Sequence, residues 1–255
     1  MAYAAAGGYA SGMTNFVLIH GALHGGWCWR PVVQRLEAAG HQVFAPSLTG
    51  LGDRVHLLDR SVNLETHVAD VLSLLEAEEL SDVVLVGHSY GGMVIAPAAD
   101  RAVERIRALV FLDAHVPEDG KSCFDLMVPA RAEGMRKLAE TAGQGWLLPP
   151  MSAAAMGVVD PAARAWVDRR CVPHPLATMT QPARLTGAWE KVPSKTYVLC
   201  EGEFVRPESN VASPFPAYAA RLRQATGWRV TTLPCGHDAM VIIPDRVTEL
   251  LLEHA

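Results

Sequence analysis

Ser89 sits in Gly87-His88-Ser89-Tyr90-Gly91, directly after the apolar run Val83–Val86 and directly before a helix-like segment. A serine in G-x-S-x-G at a strand-to-helix junction is placed to attack a carbonyl carbon. The tight turn strains the serine backbone and exposes its Oγ, and the residues two positions away must be small to clear the adjoining backbone. The N-terminus of the following helix favours negative charge developing beside it. Five residues of this kind also occur by chance as a plain turn. The uninterrupted Val-Val-Leu-Val strand and a further glycine at position 92 favour the nucleophile.

A serine hydroxyl needs a base to take its proton, and the order expected around such a turn is serine, acid, histidine. Of the ten histidines, His41, His56 and His67 precede the serine, His254 is at the terminus, and His115 and His174 lie in or beside an insertion. His237, in "LPCGHDAMVIIP", falls between the last strand and the last helix, where a loop can bring an imidazole onto Oγ. For the acid, "TYVLCEGEFVRP" offers Glu201 and Glu203. Glu203, two residues further from the strand, is preferred to orient the imidazole and stabilise its cation. Asp113, at the end of "LVFLDA", is the reserve. The oxyanion of acyl transfer requires preorganised N–H donors, each contributing about 3 kcal/mol. The amide of Tyr90 is one, and that of Ala22, in the glycine-rich "HGALHGGW", is the other.

These residues must be held by a scaffold, and the chain alternates strands with helices. Strands are expected at 15–21, 42–48, 82–88, 107–114, 195–202 and 228–234. Helices are expected at 31–40, at 64–80 with Val68, Val71, Leu72 and Leu75 on one face, from Gly91 with a kink or stop at Pro97, and at 245–255. This alternation predicts an α/β fold with a mainly parallel central sheet covered by helices on both faces. Residues 13–114 and 195–255 form that core. Residues 115–194, rich in Pro, Met and Ala and without a good strand, read as a helical cap over the carboxyl ends of the strands. Residues 1–12, "MAYAAAGGYASG", lack the basic start and apolar stretch of a signal peptide and read as a leader or added extension.

Taken together, "LIHGALHGGWCWRPVVQRLEAAGH", "VGHSYGGMV", "YVLCEGE" and "GHDAM" resemble the α/β-hydrolase fold, most closely its esterase and hydroxynitrile lyase branch. That branch includes plant methyl-ester hydrolases and bacterial hydrolases of pyrethroids and benzimidazole carbamates. The resemblance implies a serine esterase over residues 14–255. Some relatives place the acid after the strand that ends at Asp113, and the branch usually has Asp where Glu203 stands. Lyases of this kind carry Thr at the position of Gly21 and, at the position of Asp238, Lys, which would stabilise departing cyanide. An aspartate would repel it, so the esterase reading is preferred over a carbon–carbon lyase and over a non-catalytic small-molecule receptor.

Composition narrows the partners. Half of the 255 residues are hydrophobic and 19% are charged, with a net charge of −5. Without a basic block, nucleic acid and anionic membrane are excluded as partners, and no apolar run approaches the roughly 18 residues of a membrane span. Five scattered cysteines without a C-x-x-C read as free thiols in the cytoplasm. No metal or cofactor is implied, and a homodimer stays open. Trp27, Met93, Phe124, Met127, Trp146, Met151 and Trp166 are the expected pocket residues. With no arginine-lined feature evident, a neutral, hydrophobic, aromatic ester or carbamate is the expected substrate.

Overall fold

A computed structural model describes residues 12–202 and 213–255. The expected leader therefore lies almost wholly outside the described residues, and so does Glu203. In chain order the strands are β1 (Asn15–Ile19), β2 (Gln42–Phe44), β3 (Val83–His88), β4 (Ile106–Leu112), β5 (Leu147–Leu148), β6 (His174–Pro175), β7 (Ser194–Cys200) and β8 (Trp228–Leu233). The helices are α1 (Arg30–Ala38), α2 (Leu64–Ala77), α3 (Gly91–Arg101), α4 (Pro129–Ala142), α5 (Pro161–Asp168), α6 (Leu176–Thr180), α7 (Phe215–Leu222), α8 (Ala239–Ile242) and α9 (Pro244–Leu252).

Six strands pair in the order β2-β1-β3-β4-β7-β8, all parallel. Side chains alternate across each strand, and the core divides accordingly. Phe16, Leu18, Val84, Val86, Ala108 and Val110 pack with α1 and α9 on one face. Val17, Ile19, Val83, Leu85, Leu109 and Phe111 pack with α2 and α3 on the other. Covering both faces makes the strands continuously apolar, as the sequence shows for β3. Val68, Val71 and Leu75 of α2 are buried, and Leu72 packs at their edge. Asn63 caps this helix: its Oδ1 accepts from the Thr66 amide at 3.1 Å, and Thr66 Oγ1 accepts from the Asn63 amide.

The strand order reverses between β1 and β3: the chain moves outward from β1 to β2 and returns to the other side of β1 for β3. Ligands in open parallel sheets bind outside the carboxyl ends of the strands at such a point. Here those ends carry residues 20–24 and Ser89.

Two expectations differ from the structure. The helix after Ser89 runs through Pro97 to Arg101, so of the kink or stop expected at the proline the stop does not occur. A proline removes a single backbone donor, and the complete burial of α3 around it holds the remaining turns. The insertion between β4 and β7 is helical, as expected, but also contains the antiparallel ribbon β5–β6. Two residues per strand are too few to leave an alternating pattern.

Candidate active site

Ser89 has φ +53°, in the left-handed region that non-glycine residues rarely occupy. Such strain persists only where the surroundings enforce it. Its amide donates to Leu112 O at 3.2 Å, and its carbonyl accepts from the amides of Gly92 at 3.2 Å and His115 at 3.0 Å. The serine is thus braced between β3 and β4. The turn has no room for side chains at its flanks. A Cβ on Gly87 would stand 2.8 Å from the Gly91 carbonyl, and one on Gly92 would stand 2.0 Å from His115 O.

Asp113 follows β4 directly, with φ +42°. Its Oδ1 accepts from the Cys200 amide at 3.1 Å, and its Oδ2 meets Nδ1 of His237 at 2.6 Å. Among the described residues the carboxylate on this imidazole is that of Asp113, the reserve of the sequence reading; Glu203, the preferred acid, lies outside the described residues. The contact follows from topology: β4 lies beside β3, so a short side chain at the end of β4 reaches a ring that lines the same cavity as Ser89. Phe215 stacks on the other side of the His237 ring, 5.3 Å between centroids. Burial pushes the Asp113 carboxyl up to about 7 and the His237 imidazole down to about 4. Both shifts have one meaning: the site disfavours a lone charge on either partner, and the imidazole rests neutral, ready to accept a proton.

His88 is the neighbour that fixes the backbone of this loop. Its Nε2 lies 3.0 Å from His237 O, so Nε2 carries the hydrogen and donates. His20 does the same for the loop after β1. The Leu48 amide donates to its Nε2 at 3.0 Å, which leaves Nδ1–H to donate to Gly21 O at 2.8 Å. That carbonyl belongs to the same peptide unit as the Ala22 amide, so His20 fixes the direction of that N–H. Neither the Ala22 nor the Tyr90 amide has an acceptor among the described residues, and both residues line one cavity with Ser89 and His237. Backbone donors left free among the described residues at the wall of an apolar cavity suit a developing oxyanion.

Burial holds His20, His88 and His115 down at about 3 and His67 at about 4. His174 is lowered further by the same cause. His67 donates from Nε2 to Thr49 O at 2.9 Å and meets Tyr90 Oη at 3.0 Å. His24 lies 3.1 Å from Asp238. Burial lowers the His24 pKa, but the Asp238 carboxylate outweighs it and the net shift is upward. Asp238 is wholly buried on that partner and does not line the cavity. Any influence on a leaving group is therefore indirect.

Among the expected pocket residues, Met127 and Met151 line the cavity. Trp27 instead stacks on His24 and packs edge-on against Trp166, whose outer side carries Arg170. Met93 and Phe124 are core residues, and Trp146 lies under Arg60. Of these residues only the flexible Met127 and Met151 reach the wall. Met135, Leu138, Leu148, Met156, Met179 and Phe215 complete it. Arg131 also borders the cavity, contrary to the expectation of no arginine there. Nothing in its local sequence distinguishes it from the other arginines of the insertion.

Among the described residues no group of three or more His, Cys, Asp or Glu could hold a metal ion, and no helix is long and apolar enough to cross a membrane. Residues 16–250 match the Alpha/beta hydrolase family. The chain is 46% identical over 246 residues to the carbendazim hydrolyzing esterase of Nocardioides sp. (strain SG-4G), covering 94% of this chain and 98% of that protein. An extracellular alpha/beta-hydrolase from a Paenibacillus species superposes with a TM-score of 0.81 at 23% identity, over 95% of this chain and 99% of that one. A pyrethroid hydrolase from Sphingobium faniae JZ-2 superposes with a TM-score of 0.67, also at 23% identity, over 94% and 96% of the two chains.

Proposed function

We propose that this chain, an ester-cleaving hydrolase that belongs to the alpha/beta hydrolase family, works through an acyl-enzyme on Ser89. Its substrates on this reading are hydrophobic aromatic esters or carbamates. Ser89 Oγ attacks the carbonyl while His237 Nε2 takes its proton. Asp113 keeps the hydrogen on Nδ1 and stabilises the imidazolium. The Tyr90 and Ala22 amides hold the tetrahedral oxyanion, and His237 returns the proton to the departing alcohol. Water enters by the same route in reverse and frees the acid. The insertion between β4 and β7 acts as the cap that excludes bulk water. Five free thiols fit a reducing, cytoplasmic setting.

One observation carries this reading: the 2.6 Å contact of Asp113 with His237 Nδ1 turns the opposite ring nitrogen to proton transfer, in a cavity that also holds the strained Ser89. The hydrophobic, mostly flexible wall supports the substrate class, as does the carbendazim hydrolyzing relative. Gly21 offers no hydroxyl beside Ser89, in contrast to the threonine of the lyases. The test is a fluorophosphonate probe followed by peptide mapping. One equivalent is expected on Ser89, with loss of aryl-ester and aryl-carbamate hydrolysis in step with labelling. Full hydrolysis after stoichiometric labelling, or an adduct elsewhere, would defeat the assignment.

A further inference from the structure

Arg131 is out of keeping with the cavity it borders. It stands in the first turn of α4, beside Met127, Met135 and Leu138. Among the described residues its Nη1 is buried with no hydrogen-bond partner, and no ion pair joins it to a carboxylate. Four other arginines of the insertion are engaged. Arg136 lies 4.7 Å over the Phe124 ring and Arg170 lies 4.9 Å over Trp166. Arg164 donates to Val158 O, and Arg169 donates to Ala165 O. Burial lowers the pKa of Arg131, and its charge reaches His115 and His237, where it adds to burial in opposing protonation. Arg131 thus borders the same chamber as the reacting groups.

A buried donor without an acceptor, on a charged group, is costly to keep unless something supplies the missing partner. A planar carboxylate matches a guanidinium best, because two parallel N–H bonds are made and the charge is cancelled. We infer that Arg131 is a substrate-recognition residue that takes a carboxylate carried by the ester at a distance from its scissile carbonyl. The class is thus an aromatic or aliphatic ester, apolar along its length, with a free acid group at one end. This rests on the hydrolase reading for the position of the scissile bond, but not for the binding of the acid group.

Two matched ester pairs test it: 4-carboxyphenyl butyrate against 4-carbamoylphenyl butyrate, and 4-nitrophenyl hydrogen adipate against 4-nitrophenyl hexanoate. Within each pair the readout is the ratio of kcat/KM for acid over neutral ester. Arg131→Met is expected to lower that ratio at least tenfold in one pair, with most of the change in KM. Arg131→Lys, which keeps the charge, should retain part of it. A ratio unmoved in both pairs overturns the inference while leaving ester hydrolysis intact. Calorimetry with unreactive 4-butylbenzoate and 4-butylbenzamide gives an answer without turnover. The benzoate should bind the wild type at least tenfold more tightly than the amide, a preference absent from Arg131→Met. Equal affinities in the wild type would also overturn it. Loss of all ester turnover with this preference intact would instead count against the hydrolase reading alone.

Discussion

Ser89→Ala is expected to lower kcat for aryl-ester hydrolysis by on the order of 10⁵-fold, as groups that act as one unit do when the nucleophile is removed. Position 89 is suited to a clean comparison. The φ of +53° is imposed by hydrogen bonds of the backbone to Leu112, Gly92 and His115, none of which involves the hydroxyl. Alanine therefore keeps the turn, and thermal melting should move little. The double variant Ser89→Ala with His237→Ala should lose no more than the single one, because the base has nothing left to deprotonate. Additive losses would mean that the two residues serve separate functions. Retention of activity in Ser89→Ala would end the acyl-enzyme mechanism.

Asp113→Asn is expected to lower kcat by about 10⁴-fold, the scale seen when an amide replaces the carboxylate behind a catalytic imidazole. An asparagine can present N–H to Nδ1, which moves the imidazole hydrogen to Nε2. That nitrogen can then no longer take a proton from Ser89. The Cys200 amide would still find an oxygen at position 113, so the fold is preserved. The companion measurement is Glu203→Gln, which should leave the rate close to that of the wild type. If the losses are reversed between these two variants, Glu203 is the acid.

The contrast between those residues illustrates what the chain reveals before it is folded. Ser89 and the parallel sheet were legible because each leaves a local signature: glycines flanking one residue, and uninterrupted apolar runs between helical periods. The partner of His237 leaves none. Both Asp113 and Glu203 follow apolar strands, and which of them meets the imidazole depends on which strand lies beside β3, a question of sheet order rather than of spacing. The pocket was read partly wrongly for a related reason. Composition says that the insertion is rich in Trp and Met, but not which side chains face inward. Trp27 and Trp166 found each other, and the thinner methionines were left to line the cavity. Arg131 leaves no local signature either, because whether a cation lacks a partner among the described residues shows only in the folded arrangement. The helix α7 carries a short signal in the sequence, with Phe215, Tyr218, Ala219 and Leu222 at helical spacing and Pro in its first turn.

The buried imidazoles set a limit on the conditions the protein can survive. His20, His67, His88, His115 and His174 are all neutral when folded and well below their free value of about 6.5, so the unfolded chain takes up protons that the native one refuses. Stability from these groups is complete above that value and drains away as acidity rises, each one costing roughly 1.4 kcal/mol per pH unit. His24, held up by Asp238, is protonated in both states below about 6.5 and adds no slope there, and the opposed shifts of Asp113 and His237 cancel between about pH 4 and 6.5. The five together amount to about 7 kcal/mol per unit, comparable to the whole stability of a typical domain. Acid denaturation should therefore begin below pH 6 and be nearly complete within two units. A urea midpoint that stays constant from pH 7 to pH 4.5 would contradict this.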